Sequence, residues 1–476
     1  MVNPIPVIAI DGEFLSCQPT VTAGGREVFA LDRPTLLGEL GIDWGRDDQW
    51  AQPEPAVLSF QLWEPWPGTW LTKINEQRAM RRGVNVIYKH QGDKPGDRSI
   101  FQGFTTNVDI DMAVKPTSAG NTMGWLVTIQ AADRSAFLGN INFAAGITLP
   151  EESMQNRAVK IRNQAAPLGI REMYFESRFA GQTVKSIDPK DKSARDMVDE
   201  MYKSFADQWC YNPSRNTINR IPTGSTWGPY TLKLGRLPGG ADGKGTGKIR
   251  LYPPPWTDTT GTQADIDKQP YPTAYIGACQ VSGKVTLSAN TIQDITHITC
   301  NWFDKPNNKD WKTNVTVKND GPPSRLEFDS WFIDGRAVDP VIEDVRKMVT
   351  GDGRKPMHPQ IEWDTAKTGD IPDWSTFESM TMPAQTIRMV VLAGSPFSNA
   401  TGQPPVWHPA GGRIAYRNGR WAFTVNLAPT TLPLPAGHTP FNFGQLPEWV
   451  TIDDLDDSLS FDDLYYVSDP NIYPVP

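Results

Sequence analysis

The strongest constraint on this chain is an alternation of apolar and polar residues with a period of two. In Ala56-Val-Leu-Ser-Phe-Gln-Leu-Trp63, Leu58, Phe60 and Leu62 point one way and Ser59 and Gln61 the other. Val84, Val86 and Tyr88 alternate with Asn85, Ile87 and Lys89, and Trp125, Val127 and Ile129 with Leu126, Thr128 and Gln130. Successive side chains of a strand leave opposite faces, so each stretch reads as a strand with one buried face. The 40 glycines and 42 prolines punctuate these stretches and favour many short strands over long helices. The pattern predicts a mainly β fold with some α (α+β), built from small antiparallel barrels or sandwiches with a mixed middle region.

Three regions follow from the distribution of these signals. Residues 1–145 read as a first β-barrel domain, with a glycine inside Phe101-Gln-Gly-Phe104 where a bulge or bend is expected. Residues 146–280 read as a mixed α/β insertion ending in a proline-rich linker. There Ala194, Met197, Val198, Met201, Tyr202 and Phe205 fall at helical spacing, with Ser193 as the cap and Asp196 in the first turn. Residues 281–476 read as a second β-rich domain with an acidic C-terminal segment. A short helix is expected to start at Asp339-Pro340 and end at Gly351, and Thr386 to Leu392 has strand composition. Asn418-Gly419 signals a two-residue hairpin turn that pairs Tyr416 with Trp421 and Ile414 with Phe423.

Composition and motifs restrict the chemistry. No apolar run approaches the roughly 18 residues that cross a bilayer, and no membrane anchor is expected. The N-terminal MVNPIPVIAIDGEF has neither a basic start nor a small-residue cleavage site, so no signal peptide is expected. Cys17, Cys210, Cys279 and Cys300 are widely spaced and form no CxxC pair; they read as reduced, mostly buried thiols of a protein made in a cytoplasm. The five histidines include no HExxH, and no GxSxG is present. In the glycine-rich stretch from Gly235 to Gly247, neither Lys244 nor the nearby Lys248 has the spacing of a phosphate-binding loop. No catalytic residue, cofactor or metal is expected.

The charge is unevenly placed. After Arg420 there is no Lys or Arg, and the eight acids there equal the whole net charge of -8. Among them, Asp453, Asp454, Asp456, Asp457, Asp462 and Asp463 lie close together. Such a segment repels nucleic acid or meets a basic partner; a solvated acidic loop accounts for it equally well. Arg78, Arg81 and Arg82 form the densest basic cluster, without interleaved aromatics, and suit a salt-bridged rim at a subunit interface.

One segment resembles a known family. Asp32-Arg-Pro-Thr-Leu-Leu-Gly-Glu-Leu-Gly-Ile-Asp-Trp-Gly-Arg46, then Gln52-Pro-Glu-Pro-Ala-Val-Leu-Ser-Phe60, resembles the opening of minor tail proteins from siphophages of actinobacteria. The resemblance runs through Phe101-Gln-Gly-Phe104 and ends at Val127-Thr-Ile-Gln-Ala-Ala-Asp133, a pattern similar to the first barrel of the tail hub (baseplate hub) family. It implies a virion protein of the tail tip: a ring-forming structural hub, homotrimeric, with a hexamer as the alternative. It also implies the distal tail protein, the tape measure protein and other tail-tip proteins as partners, and a lumen through which DNA passes without specific binding. The acidic segment is then a candidate channel surface, and no enzymatic activity is expected. Three other readings stay open. They are a distal tail protein forming hexamers, a carbohydrate-binding receptor module suggested by the 17 tryptophans, and a glycosidase using the aspartate-rich segment.

Overall fold

The computed structural model describes residues 5–15, 20–21, 27–28, 34–46, 51–68, 71–72, 83–89, 98–117, 120–144, 147–175, 179–221, 233–236, 249–252, 273–275, 281–282, 285–288, 295–317, 323–350, 358–369, 374–381, 386–388, 406–417 and 419–429. The fold is α+β and β-rich, as the alternation requires.

The N-terminal strands of the main sheet are β1 (Ile5–Ile10), β2 (Glu13–Leu15), β3 (Thr35–Gly45), β4 (Glu54–Pro65), β5 (Gly83–Lys89), β6 (Ser99–Thr117) and β7 (Gly120–Asp133). The middle of the chain supplies helices α1 (Met154–Ala165) and α2 (Ala194–Lys203), strands β8 (His297–Asp304), β9 (Lys309–Thr316) and β10 (Arg325–Asp329), and helix α3 (Gly335–Thr350). The C-terminal part adds β11 (His358–Asp364), helix α4 (Trp374–Thr381), β12 (Val406–Arg417) and β13 (Arg420–Pro429).

Among the described residues, thirteen strands form one sheet. Its main path runs from the short strand Thr286–Ser288 through β11-β13-β12-β3-β4-β7-β6-β5-β1-β2, with Thr273–Tyr275 and Thr386–Arg388 on a side branch. The two ends of the chain meet where β3 and β12 pair antiparallel, with Ile42 opposite Ile414 and Leu40 opposite Tyr416. Across that seam Arg413 donates to Asp43 at 2.6 Å and to Glu39 at 2.8 Å. The seam is hidden from local sequence because a ladder between distant segments depends on shared burial, not on a turn.

The first core lies under this sheet. It combines Ile8, Leu40, Leu58, Tyr88 and Val127 with Ile361, Trp421 and Phe423 from the other end of the chain. Helix α4 inserts Phe377, whose ring lies 4.3 Å from Tyr88 and 5.6 Å from Trp421. The hairpin takes the register read from its turn: Tyr416 faces Trp421, Ile414 faces Phe423, and Gly419 adopts a left-handed φ of 79°. Only a residue without a Cβ takes that conformation at no steric cost.

A second core packs α1, α2 and α3 against the β9-β8-β10 sheet. Helix α2 is set by its N-terminus, where the Ser193 hydroxyl accepts from the Asp196 amide at 3.2 Å. The Asp196 carboxylate accepts in return from the Ser193 amide at 2.8 Å. The Ser193 hydroxyl, which donates to the same carboxylate at 2.7 Å, and the Ser193 amide hold the Asp196 carboxyl below its ordinary range. Helix α3 begins at Gly335, not at Asp339-Pro340, and Pro340 lies inside it. The Asp334 carboxylate accepts from the Arg336 amide at 2.9 Å, and burial of Ala337 and Val338 draws the earlier turn into the core. Gly351 and residues 389–392 lie outside the described residues.

Arg157 is fully buried in this core. It donates to Glu152 at 2.8 Å and to the carbonyls of Pro150 and Lys185, with its guanidinium 5.3 Å from the Trp331 ring centroid. Cys210 and Cys300 are buried cysteines outside any disulfide, and burial pushes the Cys300 thiol up to about 12.

Candidate functional site

The feature of the main sheet that its own core does not explain is the far half of the β6–β7 hairpin. Among the described residues, strand β6 pairs with β5 from Ser99 to Phe104, and β4 ends its pairing with β7 where Pro65 meets Gly124. Beyond Phe104 β6 continues as an arm paired with β7, from Asn107–Gln130 to Thr117–Gly120; β7 keeps β4 on its other side as far as Gly124, and from Val114–Met123 onward the arm is paired with itself among the described residues. Among the described residues nothing pairs with the outer edge of β6 along residues 105–117. An unpaired edge of that length presents a row of amides and carbonyls to any other strand.

The side chains of the arm sort by face. Val108, Ile110, Met112 and Val114 lie opposite Ile129, Val127, Trp125 and Met123. Directly opposed residues share a face, so these eight form one apolar stripe. At its root Val127 and Ile129 are buried in the first core, but at its tip Ile110 is 47%, Met112 60%, Val114 54% and Met123 43% exposed. Trp66, 53% exposed, stacks on Trp125 with ring centroids 5.5 Å apart and widens the stripe. The opposite face carries Asp109 and Asp111.

Two register shifts aim this face. They fall on β6 at Ile100, opposite the step from Val86 to Ile87, and at Thr106, between Thr105 and Asn107. Before Thr106 the odd residues Phe101, Gly103 and Thr105 are buried; after it the even residues continue the core face. A single extra residue inverts the parity of a strand. Gly103 is itself in register, not bulged. A Cβ there would lie 2.0 Å from the Ala132 carbonyl oxygen, so the glycine permits a close backbone approach.

Asp133, which ends the sequence pattern, closes the base of the hairpin. Its carboxylate is buried and accepts from the Ala56 amide at 2.7 Å and from the Ser135 amide and hydroxyl at 2.8 and 2.5 Å. Burial pushes its carboxyl up to about 6, against the opposing pull of those hydrogen bonds. It ties β4, the end of β7 and the following helical turn together, which is a positioning role.

Arg78, Arg81 and Arg82 lie outside the described residues, as do Asp453, Asp454, Asp456, Asp457, Asp462 and Asp463. Among the described residues no group of three His, Cys, Asp or Glu could hold a metal ion, and no helix is long and apolar enough to cross a membrane. His408 is buried, with its Nε2 3.3 Å from the Arg46 guanidinium. The stripe itself had a sequence signal, since the same period-two alternation runs from Val108 to Val114. What sequence does not reveal is that the core ends at its root.

No family model matches the chain, and no curated protein matches it in sequence. Its fold is similar to that of a tail protein from Neisseria meningitidis, with 11% identity, a TM-score of 0.46 and coverage of 89% of this chain and 96% of that one. It is similar also to the tail protein of prophage MuSo2 from Shewanella oneidensis, at 8% identity and TM-score 0.44, covering 90% of this chain and 97% of that one. A prophage tail protein from Listeria monocytogenes aligns over 90% of this chain and 94% of its own length, at 8% identity and TM-score 0.42.

Proposed function

We propose that this chain is a structural subunit of a phage tail tip, a hub that closes into a ring by docking the β6–β7 arm of each copy against its neighbour. The observation that carries this reading is a β6 edge that is unpaired among the described residues and bears an exposed apolar stripe. Edges left open invite uncontrolled pairing, and closed symmetry uses each one once. Burying Ile110, Met112, Val114, Met123 and Trp66, each about half exposed, contributes roughly 1 kcal/mol apiece, or about 5 kcal/mol per arm. The order of motifs from Asp32 to Asp133 supports the tail-hub assignment, and with it a homotrimer as the stoichiometry.

In this reading the ring joins the tail tube to the tip and surrounds the DNA exit channel. The distal tail and tape measure proteins are its neighbours. The acidic segment Asp453 to Asp463 faces the channel, where like charge lets DNA slide without sticking. Arg78, Arg81 and Arg82 belong to the rim between copies. The test is the native mass of the purified full chain and its presence in purified phage particles, compared with an Ile110→Lys/Val114→Lys variant. Both positions are exposed, so the variant keeps the fold of each copy. A closed oligomer that the variant disperses, with loss of the chain from particles, supports the proposal; a monomeric wild-type chain absent from particles refutes it.

A further inference from the structure

The middle of the chain holds a cleft that the assembly reading does not use. It is an open cavity of about 820 Å³ between helix α2, the segment Lys185–Ile187 and the β9-β8-β10 sheet. Its size falls in the range of small-ligand sites. Three tryptophans converge on it: Trp302, Trp311 and Trp331. Trp302 and Trp311 sit directly opposite each other on β8 and β9 and so share a face. Along β8 that face is core at Ile298 and Cys300; at Trp311 the core stops and the indole is 44% exposed. The Lys309 ammonium lies 4.2 Å from the Trp311 ring centroid and braces the ring from one side.

The polar lining is mixed in sign. Lys192 is bonded to Glu200 at 2.6 Å, and Lys312 to Glu327 at 2.8 Å. Lys185 and Lys203 also line the cleft, and among the described residues neither ammonium has a hydrogen-bonded carboxylate. Asp310 and Asp329 stand on the same walls and supply acceptors.

We infer that this cleft binds a carboxylate-bearing glycan. A sugar ring has one apolar C–H face, which fits a half-exposed indole, and a polar edge that needs both donors and acceptors. Lys185 and Lys203 complement the carboxylate, and Asp310 and Asp329 accept from hydroxyls. A protein partner anchored on Trp311 would want an apolar surround, and the walls here are charged. A single-stranded nucleic acid stacks successive bases on successive exposed rings, and here Trp311 alone is exposed, Trp302 and Trp331 being buried. The inference is independent of how copies of the chain assemble.

The test titrates the full chain with tetragalacturonate, with a hyaluronan tetrasaccharide and with neutral chitotetraose, read by tryptophan fluorescence and calorimetry. Saturable binding of at least one carboxylated probe, tenfold tighter than chitotetraose, is expected. Trp311→Ala weakens it at least tenfold, and Lys185→Ala/Lys203→Ala removes the preference for the charged probe. All three positions are away from the packed interior, and an unchanged circular dichroism spectrum verifies folding. Absence of saturable binding by either carboxylated probe, binding unmoved by Trp311→Ala, or displacement of the glycan by an oligothymidylate each overturns the inference.

Discussion

Replacing Gly103 by alanine tests the packing that positions the arm. A Cβ at this site falls 2.0 Å from the Ala132 carbonyl oxygen, 2.7 Å from its carbon and 2.8 Å from the Asp133 Cα. All three are backbone atoms of the neighbouring strand, so no side chain can swing away. Strands β6 and β7 must separate by about 1.4 Å to reach ordinary contact, an overpacking strain of about 1–3 kcal/mol. The displacement also pulls Asp133 from its bonds with Ala56 and Ser135, and an imperfectly satisfied buried group costs about 1–3 kcal/mol more. Gly103→Ala therefore lowers the stability of the first core by about 2–6 kcal/mol. The assay is urea unfolding followed by tryptophan fluorescence, with Gly139→Ala as control, since a Cβ at Gly139 meets nothing within 4 Å. A Gly103→Ala protein as stable as the control would refute the close-approach account.

Other consequences are as direct. Because the Asp133 carboxyl is raised from 3.8 to about 6, the folded chain binds its proton more tightly than the unfolded chain between those values. Its contribution thus strengthens as pH falls from 7 toward 4, by at most about 3 kcal/mol. The stability difference between wild type and Asp133→Asn, measured by urea unfolding at pH 7 and pH 5, should shift toward wild type at pH 5; a pH-independent difference contradicts the assignment. Arg157→Ala leaves Glu152 and two carbonyls without their buried donor and should destabilise the second core by about 3–5 kcal/mol. Hydrogen exchange over residues 154–165 would register it, and unchanged protection there would show that the pair carries no weight. Ser193→Ala removes one half of the reciprocal cap on α2 at a cost of about 1 kcal/mol, measured by thermal unfolding, and no shift would mean the cap is idle.

What could be read from sequence was local. The Tyr416–Trp421 pair follows from a two-residue turn, and the start of α2 from Ser193 and Asp196 three residues apart; neither needs knowledge of the rest of the chain. The β3–β12 seam, in which Arg413 reaches an acid 370 positions earlier, has no local signature. The early start of α3 was missed because Asp339-Pro340 offers a stronger helix signal than Asp334, yet burial of Ala337 and Val338 decides the matter. Trp302 and Trp311 meet through the β8–β9 hairpin, but their cleft with Trp331 exists only once α2 and the β9-β8-β10 sheet are packed together. The alternation at Val108–Val114 was visible, but an apolar face says nothing of whether its cover comes from the same chain. For the arginine cluster and the aspartate-rich segment, which lie outside the described residues, the readings rest on charge alone.

The central claim is that the arm's open edge is closed by another copy. A cryo-electron microscopy reconstruction of the purified assembly, sharp enough to trace strands, tests it most directly. The account expects copies arranged about one axis, with backbone hydrogen bonds from residues 107–117 to a neighbouring copy and Ile110, Met112 and Val114 buried between them. Arms standing in solvent, or covered by the chain's own residues, would contradict it.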